Sequence, residues 1–191
     1  MKAFHNDPKI KETYLARVRA HREADQIIQS YGYWNEGKGC AVGCTLHSDN
    51  HAAYETELGI PQVLARLEDG IFEGVSVERS KSWPEDFLAA IPVGADLSLV
   101  WPKFAIWLLT DPDHGVIRFS KTPQVVEKVA ILYSRLIAGD QPTHAEWSAA
   151  YAAAAYAAAD AARAAARAAA DAAHARGAQA TKLLQLLSEA R

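Results

Sequence analysis

The sequence predicts an all-α fold, a multi-helix bundle with a long alanine-rich C-terminal helix, and three observations predict it. Apolar residues recur at three- and four-residue spacing through several segments, as they do along one face of a helix. The breaks between those segments carry helix-start and helix-stop residues, among them Asp7-Pro8, Gly59-Ile60-Pro61, Thr122-Pro123 and Gly139. From Ala149 to Ala175, 20 of 27 residues are alanine, the strongest helix former, and no proline interrupts the run.

The first helix starts at Asp7-Pro8, a capping side chain followed by the one residue whose missing N–H costs nothing there. Its apolar stripe runs through Ile10, Tyr14, Leu15, Val18, His21 and Ile28, which predicts an end near Tyr31-Gly32. Tyr33-Trp34-Asn35-Glu36-Gly37 then reads as a loop bearing two large aromatics. Gly59 ends a short helix and Pro61 opens another that runs to about Gly74. That helix presents Val63, Leu64, Leu67, Ile71 and Phe72 inward, and Arg66, Glu68, Asp69 and Glu73 outward.

Trp83-Pro84 and Trp101-Pro102 each place proline where a helix can begin, ahead of an apolar group. Pro92 to Asp96 and Asp111 to Gly115 are turns, and Val116-Ile-Arg-Phe119 could form a short strand, although the sequence offers it no evident partner run. Thr122-Pro123 opens a helix with Val125, Val126, Val129, Leu132, Tyr133 and Leu136 inward, stopped by Gly139. The alanine-rich helix begins near Thr143. Asp160, Arg163, Arg167, Asp171 and His174 make one polar stripe on it, and Trp147, Tyr151, Tyr156 and Leu183, Leu184, Leu186 and Leu187 anchor its ends. Gly177 is a point where it can bend or break. The expected organisation is a helical body over residues 1–142 and this helix, 143–191, packed on it.

Chain totals narrow the function classes. The 191 residues are half hydrophobic and 23% charged, an ordinary globular composition long enough to bury a core. A net charge of −3 with no block of basic residues argues against general nucleic-acid binding. The apolar run Phe104 to Leu109 is far shorter than the ~18 residues of a membrane span. Two cysteines make no disulfide framework, and the charged opening is unlike a signal peptide, so a cytoplasmic setting is expected.

The densest chemistry lies in Gly37 to Glu57, which holds both cysteines, two of the seven histidines and three glycines. On one helix, Cys40, Cys44, His47 and His51 would form a line about 16 Å long, too long for a single metal ion. Ser48-Asp49-Asn50 is rich in capping residues and predicts a break there instead. That break admits a metal set of Cys44, His47 and His51, with zinc the ion such ligands take, although the spacing Cys-x3-Cys-x2-His-x3-His is not that of the common zinc modules.

A Cys40–Cys44 disulfide is disfavoured, because β-carbons at i and i+4 lie about 5–6 Å apart and a bridge wants about 3.8 Å. A catalytic set of Cys40, Cys44 and His47 follows if the helix start and Lys38 lower the Cys40 thiol. Tyr33, Trp34, Lys38 and Glu55 would then bind a ligand, with the aromatics as walls and a His51–Glu55 pair at four-residue spacing. The glycines do not fit a phosphate loop, having the spacing G-x-G-x-x-x-G and no preceding strand. The bland alternative is that Gly39, Cys40, Ala41, Gly43 and Cys44 are small residues that let one helix cross another closely.

The segment K-G-C-A-V-G-C-T-L-H-S, the later E-L-G-I-P and the tail ending L-L-Q-L-L resemble a group of uncharacterised bacterial and phage proteins. The resemblance implies such a setting and no activity. Two functional expectations follow: a small-molecule or metal pocket around residues 33–57, or a non-enzymatic module that binds a protein partner as a regulator or inhibitor. The alanine-rich helix is in addition a surface through which copies could associate.

Overall fold

A computed structural model describes residues 1–153 and 172–191 and gives an all-α, multi-helix fold whose one sheet has two short strands. Tyr156, Asp160, Arg163, Arg167, Asp171 and the side chain of His174 lie outside the described residues, and so does most of the alanine run. The chain divides into two compact units, Met1–Ser98 with Gln179–Arg191, and Leu99–Ala178. The expected division at 142/143 follows composition; contacts draw the line at 98/99 and return the last residues to the first unit.

In the first unit, a left-handed turn over Ala3–Asn6 leads into α1, Pro8–Glu23. Asp7 caps α1 by accepting from the Lys9 N–H at 2.9 Å, as the Asp-Pro pair predicts. The helix stops eight residues earlier than the stripe suggests. Asp25 takes φ +52°, and Ile28 continues as extended chain that donates its N–H to the Gly39 carbonyl at 2.9 Å. A tertiary pairing thus takes over the residues that extended the helical pattern.

Residues expected as loop form a hairpin of β1, Trp34–Asn35, and β2, Lys38–Gly39. Its two turn residues, Glu36 and Gly37, have φ +50° and +82°, the left-handed pair that a two-residue turn needs to match strand twist. Next come α2, Ala41–Leu46, and α3, Ala53–Leu58, and the break between them falls on Ser48-Asp49-Asn50 as expected. Every residue of α2 is buried.

Gly59, at φ +64°, ends α3, and α4 spans Gln62–Phe72. The side-chain amide of Gln29 donates to the carbonyls of Phe72 at 2.5 Å and Val75 at 3.0 Å, closing the far end of α4. Helix α5, Val77–Ala90, is capped by Ser76, so Pro84 lies inside it and does not open it. The proline removes one helical hydrogen bond, but its ring is buried beside the fully buried Trp83. Lys11 joins α1 to the end of α5 through the carbonyls of Ala89 and Ile91, and Arg19 and Arg22 both pair with Glu85.

The core of this unit holds Phe4, Tyr54, Leu58, Ile60, Phe72, Trp83 and Phe87. Val63 stands outside it, more than a third exposed. Within the same unit Leu183 and Leu187 are fully buried, and the Arg191 carbonyl accepts from the Asp96 N–H at 2.8 Å.

The second unit contains α6, Val100–Thr110, and α7, Pro123–Ile137, with residues 144–153 as the described part of α8. Val116–Phe119 is a short 3-10 helix, not a strand: among the described residues no run pairs with it, and the Asp111 carbonyl and carboxylate already gather the N–H groups of Asp113, His114 and Gly115. Thr143 and Glu146 cap α8 reciprocally, hydroxyl to N–H at 3.2 Å and carboxylate to N–H at 2.7 Å. Ala105, Val129 and Tyr133 form its core, with Trp101, Leu136 and Trp147 packed on them.

A groove of about 360 Å³ is lined by Ile131, Leu132, Ala150 and Ala153, with Lys128 and Glu146 also on its wall. The last helix, α9, spans Ala172–Ser188 and runs unbroken through Gly177.

Candidate functional site

The Gly37 to Glu57 stretch is built on a close approach of backbone to backbone. A β-carbon on Gly39 would stand 1.9 Å from the Tyr33 carbonyl oxygen, and one on Gly43 only 1.3 Å from it. The small residues therefore do admit a close crossing, but what crosses is the strand segment at Tyr33 and not a helix. The Cys40 N–H donates to the Gly32 carbonyl at 3.0 Å and fixes the same contact.

Because Tyr33 and Trp34 are successive residues entering a strand, they meet different partners. Trp34 stacks on His47, with ring centroids 4.2 Å apart and planes 16° apart. His21, in the last turn of α1, sets its ring edge-on to both, at 5.2 Å from Trp34 and 5.0 Å from His47. Its Nε2 lies 2.8 Å from Nε2 of His47, and its Nδ1 lies 2.6 Å from the Gln26 side-chain oxygen. An amide oxygen only accepts, so Nδ1 of His21 carries hydrogen, and the neutral ring's Nε2 accepts from His47.

His47 ends α2 in the left-handed conformation, φ +57°, and its side chain is exposed. Although the residue reaches solvent, its ring is covered in part by Trp34 and His21, and this partial burial first, then the charge of Arg17 and His21, hold the imidazole below the ordinary histidine range.

Tyr33 meets His51 instead, edge to face at 5.2 Å. His51 is buried and its Nε2 faces Asp69 Oδ2 at 3.4 Å. The expected partner, Glu55, turns away to accept the Gln62 N–H at 2.9 Å and start α4. Asp69 Oδ1 is buried without a hydrogen-bond partner. The Cys40 thiol lies close enough to feel that carboxylate's charge without completing a hydrogen bond to Oδ1.

Behind Asp69, Glu68 is 0% exposed. Its Oε2 accepts from the Tyr54 hydroxyl at 2.5 Å, its backbone carbonyl accepts from the Trp83 indole at 2.9 Å, and its Oε1 has no partner. Burial first and Asp69 next push its carboxyl up to about 8, although the Tyr54 hydrogen bond opposes them.

The catalytic set expected from the sequence does not take shape. Cys40 caps α2 through a 3.5 Å contact from the Gly43 N–H, but burial outweighs that donor and pushes the thiol strongly upward. Cys44 donates to the Gly39 carbonyl at 3.4 Å and is pushed up to about 12 by burial. Both thiols are free and buried, and their hydrogen bonds go to backbone groups, while the His47 ring faces Trp34 and His21.

The metal set is not assembled either. Cys44, His47 and His51 point to separate partners, and among the described residues no three His, Cys, Asp or Glu side chains converge for a metal ion. Lys38 is exposed on the hairpin opposite Asn35.

The charge pattern of α4 puts Asp69 and Glu68 on its outer face, although Glu68 follows Leu64 by four residues and precedes Phe72 by four, which places it on the apolar stripe, where the structure has it. His21 was legible as part of the α1 stripe, but nothing local pairs it with a residue 26 positions away. Among the described residues no helix is long and apolar enough to cross a membrane. Comparison of the chain with protein-family models, with curated proteins and with solved structures finds no match.

Proposed function

We propose that the chain is a non-catalytic binding protein of the cytoplasm whose recognition face is the aromatic and imidazole surface within residues 33–57. Trp34 and His47 form its centre, with Tyr33 and Lys38 exposed on the same short segment. One observation carries this reading: an exposed histidine in a left-handed backbone conformation, laid parallel on a half-buried tryptophan at 4.2 Å. A non-glycine residue held there is backbone strain, and strain concentrates where a side chain must be aimed. The ligand class is a planar small molecule that stacks on the exposed imidazole or indole. Thiol chemistry has no place in this reading, because both sulfur atoms are buried and protonated.

The test is a thermal-shift and fluorescence titration with nucleobases, nicotinamide compounds and aromatic carboxylates, repeated on Trp34→Ala and His47→Ala. A compound that stabilises the wild type and loses at least about tenfold in affinity in both variants supports the face, as expected when a stacking partner is removed. Binding that is equal in all three proteins, or absent throughout the panel, overturns it. The proposal left in that case is the interaction module acting through exposed helix faces.

A further inference from the structure

The His21–His47 contact places two ring nitrogens of the same kind face to face, 2.8 Å apart, on residues from different helices. We propose that this pair is a two-imidazole site for a borderline divalent transition-metal ion, of the class of Zn²⁺, Ni²⁺ and Cu²⁺, which neutral imidazole favours. The ligand set differs from Cys44, His47 and His51: it keeps one of those residues and adds His21.

Three features of the pair suit a metal. Gln26 accepts from Nδ1 of His21 at 2.6 Å, which fixes the tautomer that leaves Nε2 with a free lone pair and plays the orienting part that a carboxylate or backbone carbonyl commonly plays for a metal-bound histidine. Trp34 backs the His47 ring in a parallel stack and holds its plane while leaving the nitrogen edge open. His47 is exposed, so an ion and its waters reach the pair from solvent.

The change required is a small separation of the nitrogens together with a pivot of the rings, which now point their Nε2 atoms at each other and must turn so that both lone pairs converge on the ion. Two ligands about 2.0–2.1 Å from a tetrahedral ion stand roughly 3.3 Å apart, so the nitrogens separate by about half an ångström. Without metal, one hydrogen bridges them. When the ion enters, His47 moves its hydrogen from Nε2 to Nδ1 through solvent, both Nε2 lone pairs bind the ion, and no net proton leaves the neutral pair. Water fills the remaining positions. Arg17, whose guanidinium donates to the Thr45 carbonyl, lies near enough for its charge to act on His47, so it opposes a cation there and limits affinity.

The inference goes beyond the planar-ligand face and is tested apart from it. Metal-stripped protein is titrated with ZnCl₂ and NiCl₂ by calorimetry, and with CuCl₂ under electron paramagnetic resonance to count coordinated nitrogens. The expected result is one ion per chain with two imidazole nitrogens on Cu²⁺. His21→Gln and His47→Gln should each weaken binding at least tenfold, and Gln26→Leu about tenfold as an outer-partner loss. His144→Gln, a change at an exposed histidine of the second unit, should leave binding unchanged.

His21→Gln leaves both stacked rings in place, so it separates loss of the metal from loss of the planar-ligand face. Circular dichroism confirms that each variant folds, and the glutamine changes preserve volume. No saturable binding below ~1 mM ion, or binding unchanged in both the His21 and His47 variants, overturns the site.

Discussion

The Tyr33 carbonyl oxygen occupies the space that a β-carbon on Gly43 would need, 1.3 Å from its ideal position. This contact locks the β1 segment onto α2, and it is what lets Tyr33 reach His51 while Trp34 reaches His47. A backbone atom cannot rotate away as a side chain does, so any side chain at 43 must push the two elements apart.

Gly43→Ala should therefore destabilise the first unit by about 3 kcal/mol or more, above the usual range for overpacking by a methyl group. Gly70 is the internal comparison: it lies in α4, and a β-carbon there meets nothing within 4 Å. Gly70→Ala should be neutral or stabilising by roughly 0.5–1 kcal/mol, because alanine is the better helix former. Urea unfolding followed by circular dichroism measures both. Equal small effects would mean that the Tyr33 contact does not exist in solution.

The thiols carry a kinetic prediction. Cys40 and Cys44 are 2% and 0% exposed and both are pushed upward by burial, Cys44 to about 12. A disulfide reagent at pH 8 should modify native protein at least about 100-fold more slowly than urea-unfolded protein, since only an accessible thiolate attacks. Two rapid equivalents in the native state would restore the nucleophile expected from the helix-start argument.

The residues that carry local signals folded as their chemistry dictates. Asp7-Pro8 caps α1, Gly59 and Gly139 take positive φ at helix ends, and the capping cluster Ser48-Asp49-Asn50 separates α2 from α3. These features depend on one or two turns of chain and so are written in short stretches of sequence. The candidate site is different, because its contacts join distant residues.

Ile28 fits a helical stripe, yet pairs with Gly39 in extended form; Asp69 takes the His51 contact that spacing assigned to Glu55. Pro84 reads as a helix start only until Ser76 is seen to cap the same helix earlier. For Ile28 and His51 a partner distant in sequence decided between two locally acceptable arrangements, whereas for Pro84 the deciding signal is local, the Ser76 cap at the true start of the helix.

Glu68 gives stability a pH slope of definite sign. Its carboxyl is raised from an ordinary 4.5 to about 8 by burial and by Asp69, so between those values the folded chain holds a proton that the unfolded chain has released. Its contribution is full below pH 4.5 and declines as pH rises to about 8, with a limiting slope of about 1.4 kcal/mol per pH unit. Glu68→Gln carries no such proton and keeps an amide oxygen for the Tyr54 hydroxyl. Urea unfolding at several pH values should show the variant gaining on the wild type as pH rises from 5 to 8. Parallel pH profiles would place the Glu68 titration elsewhere.

His47 reports on its own surroundings. Burial under Trp34 and His21, with Arg17 nearby, holds its imidazole below the ordinary value of 6.5. Nuclear magnetic resonance titration of the ring should place its midpoint below that value in the wild type. Trp34→Ala removes the stacked plane and rehydrates the ring, and Arg17→Gln removes a like charge; both favour the protonated form and should raise the midpoint.

The two changes act through different causes, so the Arg17 effect should shrink as salt is added while the Trp34 effect should not. A wild-type midpoint at or above 6.5, or one that neither variant moves, would show that burial and the Arg17 charge do not set the ionisation of His47.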